Sequence, residues 1–491
     1  MNALIVLVFL VAASAAAQTP QAVQLPLSGR AGQNGGVVVN QATTPGVTSS
    51  VNTLNTNVQV QGPYTGSAAI GAIVGPLTLR DAIRRGLAHN LGSIGLNNAL
   101  RQSQGQSRVA RSGLLPNLNA SLRENLQQIN LAVFGFNLPN APSIVGPFNY
   151  FDLRATLTQT IADFTTLNNY RASKSNAEAA AQAAEDAKDL VVFAVAGAYL
   201  QVLTSQARMT SVQAQIETAG AIFKQLQEQR SAGVVAQIDV NRSRVELQTQ
   251  QQRLVSLQND LGKQRINLAR LVGLTPSADL QLADAIPFTP APELSLDRAL
   301  QQARESRADL KAAEAQLVAA ERAHAAARAE RLPSLAVSAD YGVIGKNPSD
   351  SHGTFTLIGS LRIPIWQGGR TEGSIQQASA AFDQRRAELE DLKGRIEGDI
   401  RSAFLDLESA SSQMDVARTN QDLARETLRL SRERFDAGIT TTVEVIQAQQ
   451  AISAADLDYI TTVFAHNLAK LTLARALGKA EENLARFLPM P

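Results

Sequence analysis

The 491-residue chain has no cysteine, four histidines, one tryptophan and only 4% aromatic residues. Without cysteine there is no disulfide framework, and no acylated N-terminal cysteine to act as an anchor. His89, His324, His352 and His466 are scattered, with neither the i, i+4 spacing of a metal-binding helix nor a thiolate partner. A phosphate-cradling glycine loop and a G-x-S-x-G elbow are also missing, so no metal, cofactor or catalytic role is expected. Formal charge is only +2, which gives no reason to expect nucleic acid as a partner. No apolar run reaches the roughly 20 residues of a membrane-spanning helix.

The chain opens on an apolar run, Leu4 to Ala13, followed by Ala15-Ala16-Ala17. Residues 1–17 read as a signal peptide, so the protein is expected to be exported. Residues 18–76 are rich in Gly, Thr, Asn, Val and Gln, with Arg30 the one charge, and read as a disordered leader.

From there the chain repeats itself. Leu77-Thr78-Leu79 with Ala82 corresponds to Leu294-Ser295-Leu296 with Ala299, and Leu115-Pro116-Asn117-Leu118 to Leu332-Pro333-Ser334-Leu335. Further on, Ala232-Gly233 with Asp239-Val240 matches Ala437-Gly438 with Glu444-Val445. Conserved order and spacing mark two tandem units, 77–275 and 294–480, joined by a Pro-rich linker at 276–293 and followed by a tail at 481–491. Each unit reads as a helix (Thr78–Gly113; Ser295–Arg331), two strands, a helix of about 67 residues, a glycine turn and a returning helix of about 38. At 1.5 Å per residue the long helix spans roughly 100 Å. The two shorter helices of a unit, end to end, match that length.

The strands are expected near 117–131, 150–161, 334–345 and 354–365. Leu335, Val337, Ala339, Tyr341 and Val343 alternate with small or polar residues, as do Phe355, Leu357, Leu361, Ile363 and Ile365. Phe151, Leu153, Ala155, Leu157 and Ile161 do the same, and Leu118, Ala120, Leu122 and Leu126 continue the theme with Glu124 on their apolar side. One apolar and one polar face suit a membrane barrel with a wet interior, lined here by Asp152, Arg154, Asp340 and Arg362. Four strands cannot close, and open edges are forbidden in hydrocarbon, so chains must share the barrel. Two chains give eight strands and a filled interior, whereas three give twelve and a channel.

The ordered motifs, above all Leu332-Pro333-Ser334-Leu335, Arg362-Ile363-Pro364-Ile365-Trp366-Gln367-Gly368-Gly369 and the paired turns, resemble the TolC family of outer-membrane efflux proteins over about Leu77 to Gly478. The resemblance implies an α+β membrane protein: a homotrimer with a twelve-stranded barrel in the outer membrane, four strands per chain, continued by a long α-helical coiled-coil barrel in the periplasm. It implies no enzyme activity, but a passive exit duct meeting a periplasmic membrane-fusion adaptor and, through it, an inner-membrane transporter. The adaptor would dock at the tip turns, Ala232, Gly233, Val234, Ala437, Gly438 and Ile439. Asp239 and Glu444 match the carboxylates of the periplasmic aperture, while Gln447, Thr440 and Phe435 depart from the pattern. Both acids also suit the first turn of a helix, and Thr441-x-x-Glu444 fits a capping box. Export of small molecules or metals and type I protein secretion would use the same duct. A reading of another class, an exported trimeric coiled-coil stalk or adhesin, should carry its strands once, at a chain end.

Overall fold

The computed structural model describes residues 75–135, 142–286 and 288–488. The expected signal peptide and the leader through residue 74 lie outside the described residues.

The first helix, α1 (Leu79–His89), starts at Thr78, whose hydroxyl accepts the Asp81 N–H at 3.1 Å. It stops at Asn90, and α2 (Leu91–Ser112) resumes at once. The single helix expected over Thr78–Gly113 is therefore two. Asn90 takes an extended ψ of 129°, its side chain caps Gly92 N–H at 2.8 Å, and its amide reaches the Leu271 carbonyl at 3.4 Å. The second unit breaks likewise at Arg307, between α5 (Leu296–Ser306) and α6 (Ala308–Ala329). Here the turn is held by a buried guanidinium that reaches Asp309 at 2.6 Å and Asp399 at 3.3 Å.

Two long helices dominate: α3 (Phe164–Ser231, 68 residues) and α7 (Arg370–Asp436, 67 residues). Asp163 caps α3 by accepting the N–H groups of Thr165 and Thr166. The returning helices, α4 (Gln237–Leu271) and α8 (Thr442–Ala476), have 35 residues each. Helix α3 is flanked by α2 and α6 above and by α4 and α8 below, and α7 by α6 above and α8 below. The chain is thus a wall of four columns: α2 over α4, then α3, then α6 over α8, then α7. Buried positions of α7 fall at Ile396, Ile400, Ala403, Leu407, Ala410, Met414, Ala417 and Gln421, an alternating four-three spacing that makes a coiled-coil seam.

The waist carries the main core. Leu77 pairs with Leu282 in an isolated parallel bridge, and Leu280 is buried beside it. The expected linker is therefore a packed segment. The expected tail forms a helix, α9 (Ala480–Phe487), which packs on α8 and α3. Gly478 must be glycine: its φ is +79° and a Cβ would lie 3.0 Å from the Arg307 backbone nitrogen. The sequence also hides an apolar stretch. Helix α3 contains an 18-residue window with mean hydropathy 1.6, apolar enough to cross a membrane by composition. That corrects the expectation that no such run exists. In the fold most of this window is buried, and Val191 to Leu203 form the waist core under α1, α8 and the linker.

The four strands, β1 (Asn117–Asn130), β2 (Ile144–Ala162), β3 (Ser334–Gly345) and β4 (Ser351–Arg362), form one antiparallel sheet in sequence order. Strand β4 ends at Arg362 rather than near Ile365, because Pro364 lacks an N–H and restricts the residue before it.

Candidate functional site

The register sorts the sheet into two faces. Ser121 pairs with Arg154, Arg123 with Asp152, Thr156 with Asp340, and Asp340 with Thr356, all on one polar face. Arg154 forms an ion pair with Asp340, contacts Asp152 at 3.3 Å and donates to Thr354 at 3.1 Å. Three of the four expected lumen residues therefore form one cluster across β2, β3 and β4. Arg362 stands apart at the helix-side end of β4, opposite Ser334. The other face presents Leu118, Leu122, Leu126, Leu153, Leu157, Ile161, Tyr341, Phe355, Leu357 and Leu361, all exposed in the single chain. Glu124 does lie on this face, where it accepts a hydrogen bond from Asn149 at 3.4 Å.

At the far end, both tip turns are built the same way. Gly233 has φ +75°, and Val234 N–H bonds the Gln229 carbonyl at 2.9 Å while Gly233 N–H bonds Arg230. Gly438 has φ +69°, with Ile439 N–H on Arg434 at 2.8 Å and Gly438 N–H on Phe435. This is the Schellman closure of a helix end, for which a left-handed residue without Cβ is needed. Ala232 and Ala437 precede the glycines as helix caps, and Val234 and Ile439 project outward, 73% and 69% exposed.

The aperture candidates behave differently from one another. Asp239, in the first turn of α4, is half-buried and pairs with Arg242 at 3.5 Å. Glu444 folds back across its own turn: it accepts from Thr440, pairs with Arg434 at 3.3 Å, and lies 3.5 Å from Ser431. The expected capping box does not form, since Thr441 caps α8 with no side-chain bond. Gln447 is exposed. Between α3, α7 and α8 lies a cleft of about 370 Å³ lined by Ile222, Leu226, Phe435 and Val445, with Arg432 and Asp436 at its rim.

Sequence reasoning missed the bridges that join the helices just above the tip. Glu246 on α4, 7% exposed, accepts from Gln450 on α8 and from Gln250, both at 2.8 Å. Gln225 on α3 donates to Asp436 on α7 at 3.1 Å. The one local signal was Glu246 with Gln250 at i, i+4; the partners across helices carry none. Among the described residues no group of three or more His, Asp or Glu side chains is placed to hold a metal ion.

An open sheet with one apolar face, carried on a helical wall about 100 Å long, defines a share of a membrane duct. Residues 97–274 and 299–479 match the outer membrane efflux protein family, and the chain belongs to it. The pyoverdine export outer membrane protein OpmQ of Pseudomonas aeruginosa is 26% identical over 394 residues, covering 77% of this chain and 80% of that protein. Outer membrane protein TolC of Vibrio cholerae is 24% identical over 382 residues, 76% and 84% of the two chains. Among solved structures, the CmeC outer membrane channel of Campylobacter jejuni superposes with a TM-score of 0.73 at 18% identity, covering 83% of this chain and 88% of that one. The chain is thus an outer-membrane exit duct for efflux, with its sheet in the membrane and its helices on the periplasmic side.

Proposed function

We propose that three copies close their sheets into a twelve-stranded barrel and their columns into a continuous tunnel. Small molecules handed over by an inner-membrane transporter and a periplasmic adaptor pass through it. The matched pair of open flanks carries this reading: β1 with the α2/α4 column on one side, β4 with α7 on the other. Each flank bears an uncovered apolar stripe, Ile238, Val245 and Val255 on α4, and Leu405, Val416, Leu423 and Leu430 on α7. Three copies rather than two follow from the charged face. Eight strands leave an interior filled by side chains, whereas the Asp152, Arg154 and Asp340 cluster, with Arg362, needs a watered lumen. Native mass spectrometry of the detergent-extracted protein tests this directly: three chains are expected, and a dimer would end the proposal.

The adaptor docks at Ala232, Gly233, Val234 and Ala437, Gly438, Ile439, where small residues permit close approach and two exposed aliphatic side chains offer grip. Single cysteines at Ala232 or Ala437 should cross-link the adaptor in cells, helped by the absence of native thiols. No cross-link from either turn would remove the tips as docking sites. Asp239, Glu444 and Gln447 line the aperture, and Glu444, tied to Arg434, contributes a weakened negative charge. Glu444→Gln should therefore change conductance and block by multivalent cations modestly; no change at all would exclude Glu444 from the ring. Small-molecule export is favoured over protein secretion because a relative covered over four-fifths of its length is named for pyoverdine export.

A further inference from the structure

Inside one chain the two units meet where α3 of the first packs against α8 of the second. From the waist downward that joint is made of a few specific pairs. The Arg475 guanidinium forms an ion pair with Asp186. Arg208 donates to the Thr461 hydroxyl at 2.9 Å, and the Ser453 hydroxyl donates to Gln215 at 2.5 Å. Leu200 and Leu471 share one apolar cluster, 1% and 0% exposed.

A constant step of 205 residues carries the first unit onto the second here, Gly233 onto Gly438 and Leu268 onto Leu473. It lays α3 on α7 and α4 on α8, so each half of the joint has a counterpart on an open flank. Asp186 becomes Asp391 on α7, and Arg475 becomes Arg270 on α4. Gln215 with Ser453 becomes Asn420 with Gln248, and Arg208 with Thr461 becomes Gln413 with Ser256. Leu200 with Leu471 becomes Leu405 with Ile266. Every pair keeps its chemistry: opposite charges, two hydrogen-bonding pairs and one aliphatic pair. Yet all eight counterparts are exposed in the single chain, Leu405 at 66% and Ile266 at 45%. Asp391 holds only Arg395 of its own helix, at 2.9 Å in the open. The correspondence stops above the waist. There the buried Ala172 and Ala319 become Gln377 and Gln102, so the alanine seam has no second version.

We infer that neighbouring copies meet through the same joint that holds the two units together, with Arg270 of one copy paired to Asp391 of the next. Beside that ion pair, Ile266 packs on Leu405 and Gln248 faces Asn420. A second copy of this chain is the occupant because it alone carries the complementary half at matching heights. The inference rests on the three-copy reading and adds its register. An aliphatic pair alone would tolerate sliding by a helical turn, about 5.4 Å. The ion pair does not, since each charge would then be desolvated without its partner.

A zero-length cross-link tests the register. A carbodiimide condenses a lysine amine with a carboxylate in direct contact, releasing water and leaving an amide. In the detergent-extracted Arg270→Lys protein, peptide mapping should join position 270 to Asp391. The two positions lie on opposite flanks of one chain, so the link must join two copies, and linked multimers should appear on a denaturing gel. Linkage to another acid of α7, such as Glu390 or Asp399, would overturn the joint. So would the absence of any link in a protein that native mass spectrometry finds as three chains; the trimer would then stand without this register. If three chains are not found at all, the reading beneath the joint falls first. Charge reversal gives an independent measure. Arg270→Asp and Asp391→Arg should each lower the temperature at which the chains separate, and the two together should restore most of the loss. Losses that simply add would show that the pair does not form.

Discussion

The upper half of the helical wall is packed by alanine, whereas the lower half adds polar bridges to an apolar seam that includes Val212, Ala219, Leu226, Val445 and Ile452. Above the waist, α3 and α6 bury alanines at seven-residue intervals, Ala172 and Ala179 on one, Ala312, Ala319 and Ala326 on the other. Towards the tip the α7 seam changes from aliphatic at Ile396 to Met414 into Gln421 and Ser431. There the helices are joined by polar bridges: Gln421 to Asp456, Gln215 to Ser453, Glu246 to Gln450 and Gln225 to Asp436. Separating an alanine seam exposes apolar surface at about 25 cal/mol per Å² with nothing regained. Separating polar bridges exchanges them for water, at a net loss of only about 1 kcal/mol each. The polar bridges of the lower half thus resist separation less, contact for contact, than the alanine seam above.

Within the helical seams the larger effect is expected in the upper one. Ala319→Leu replaces a methyl by an isobutyl group between α3 and α6 and should lower stability by about 2 kcal/mol. Gln421→Leu, at a buried seam position below, should change it by no more than about 1 kcal/mol, since Asp456 keeps Arg425 at 3.5 Å. Thermal unfolding of the two variants side by side decides the matter; equal losses would erase the distinction between the halves.

The waist between them should respond to acid. His466 is 1% exposed on α8, beside Phe288, and burial together with Lys470 one turn away pushes it down to about 4. Between pH 6.5 and 4 the unfolded chain takes up a proton that the folded chain refuses, so stability falls as pH falls through that window. The loss should approach roughly 3 kcal/mol. His466→Leu should flatten that part of the stability–pH curve, and an unchanged slope would show that another group carries it.

Much of the architecture could be read from periodicity. Long proline-free stretches of helical spacing gave the α3 and α7 columns, and two-residue alternation gave four strands, because both signals are local. What stayed hidden depends on tertiary partners. The break at Asn90 had a faint local sign, an asparagine able to cap the next helix, whereas Arg307 turns the chain through Asp399, a residue on another helix. The coiled-coil seam of α7 was present in the sequence but obscured by Gln421 at one of its positions. Within the candidate site, the glycines mark the turns, while Arg154 with Asp340 needed the strand register and Glu444 with Arg434 needed the turn geometry.

Two smaller effects sharpen the account of the lower half. Glu246→Leu removes the buried bridge between the two returning helices and should cost no more than about 1 kcal/mol in stability. In planar bilayers its conductance should nevertheless rise, because α4 and α8 lose a direct link just above the aperture. Gln225→Ala removes an exposed bridge between α3 and α7, and water replaces it fully, so its stability change should stay within about 0.5 kcal/mol and its conductance near that of the unaltered protein. The order matters more than either value. Glu246 is nearly sealed from solvent, so its bond meets competition from water only once the helices have parted, whereas the Gln225 bond competes with water at all times. If Gln225→Ala opens the duct as much as Glu246→Leu, the tip is held as much through its two long helices, and burial is not what gives a polar bridge its grip.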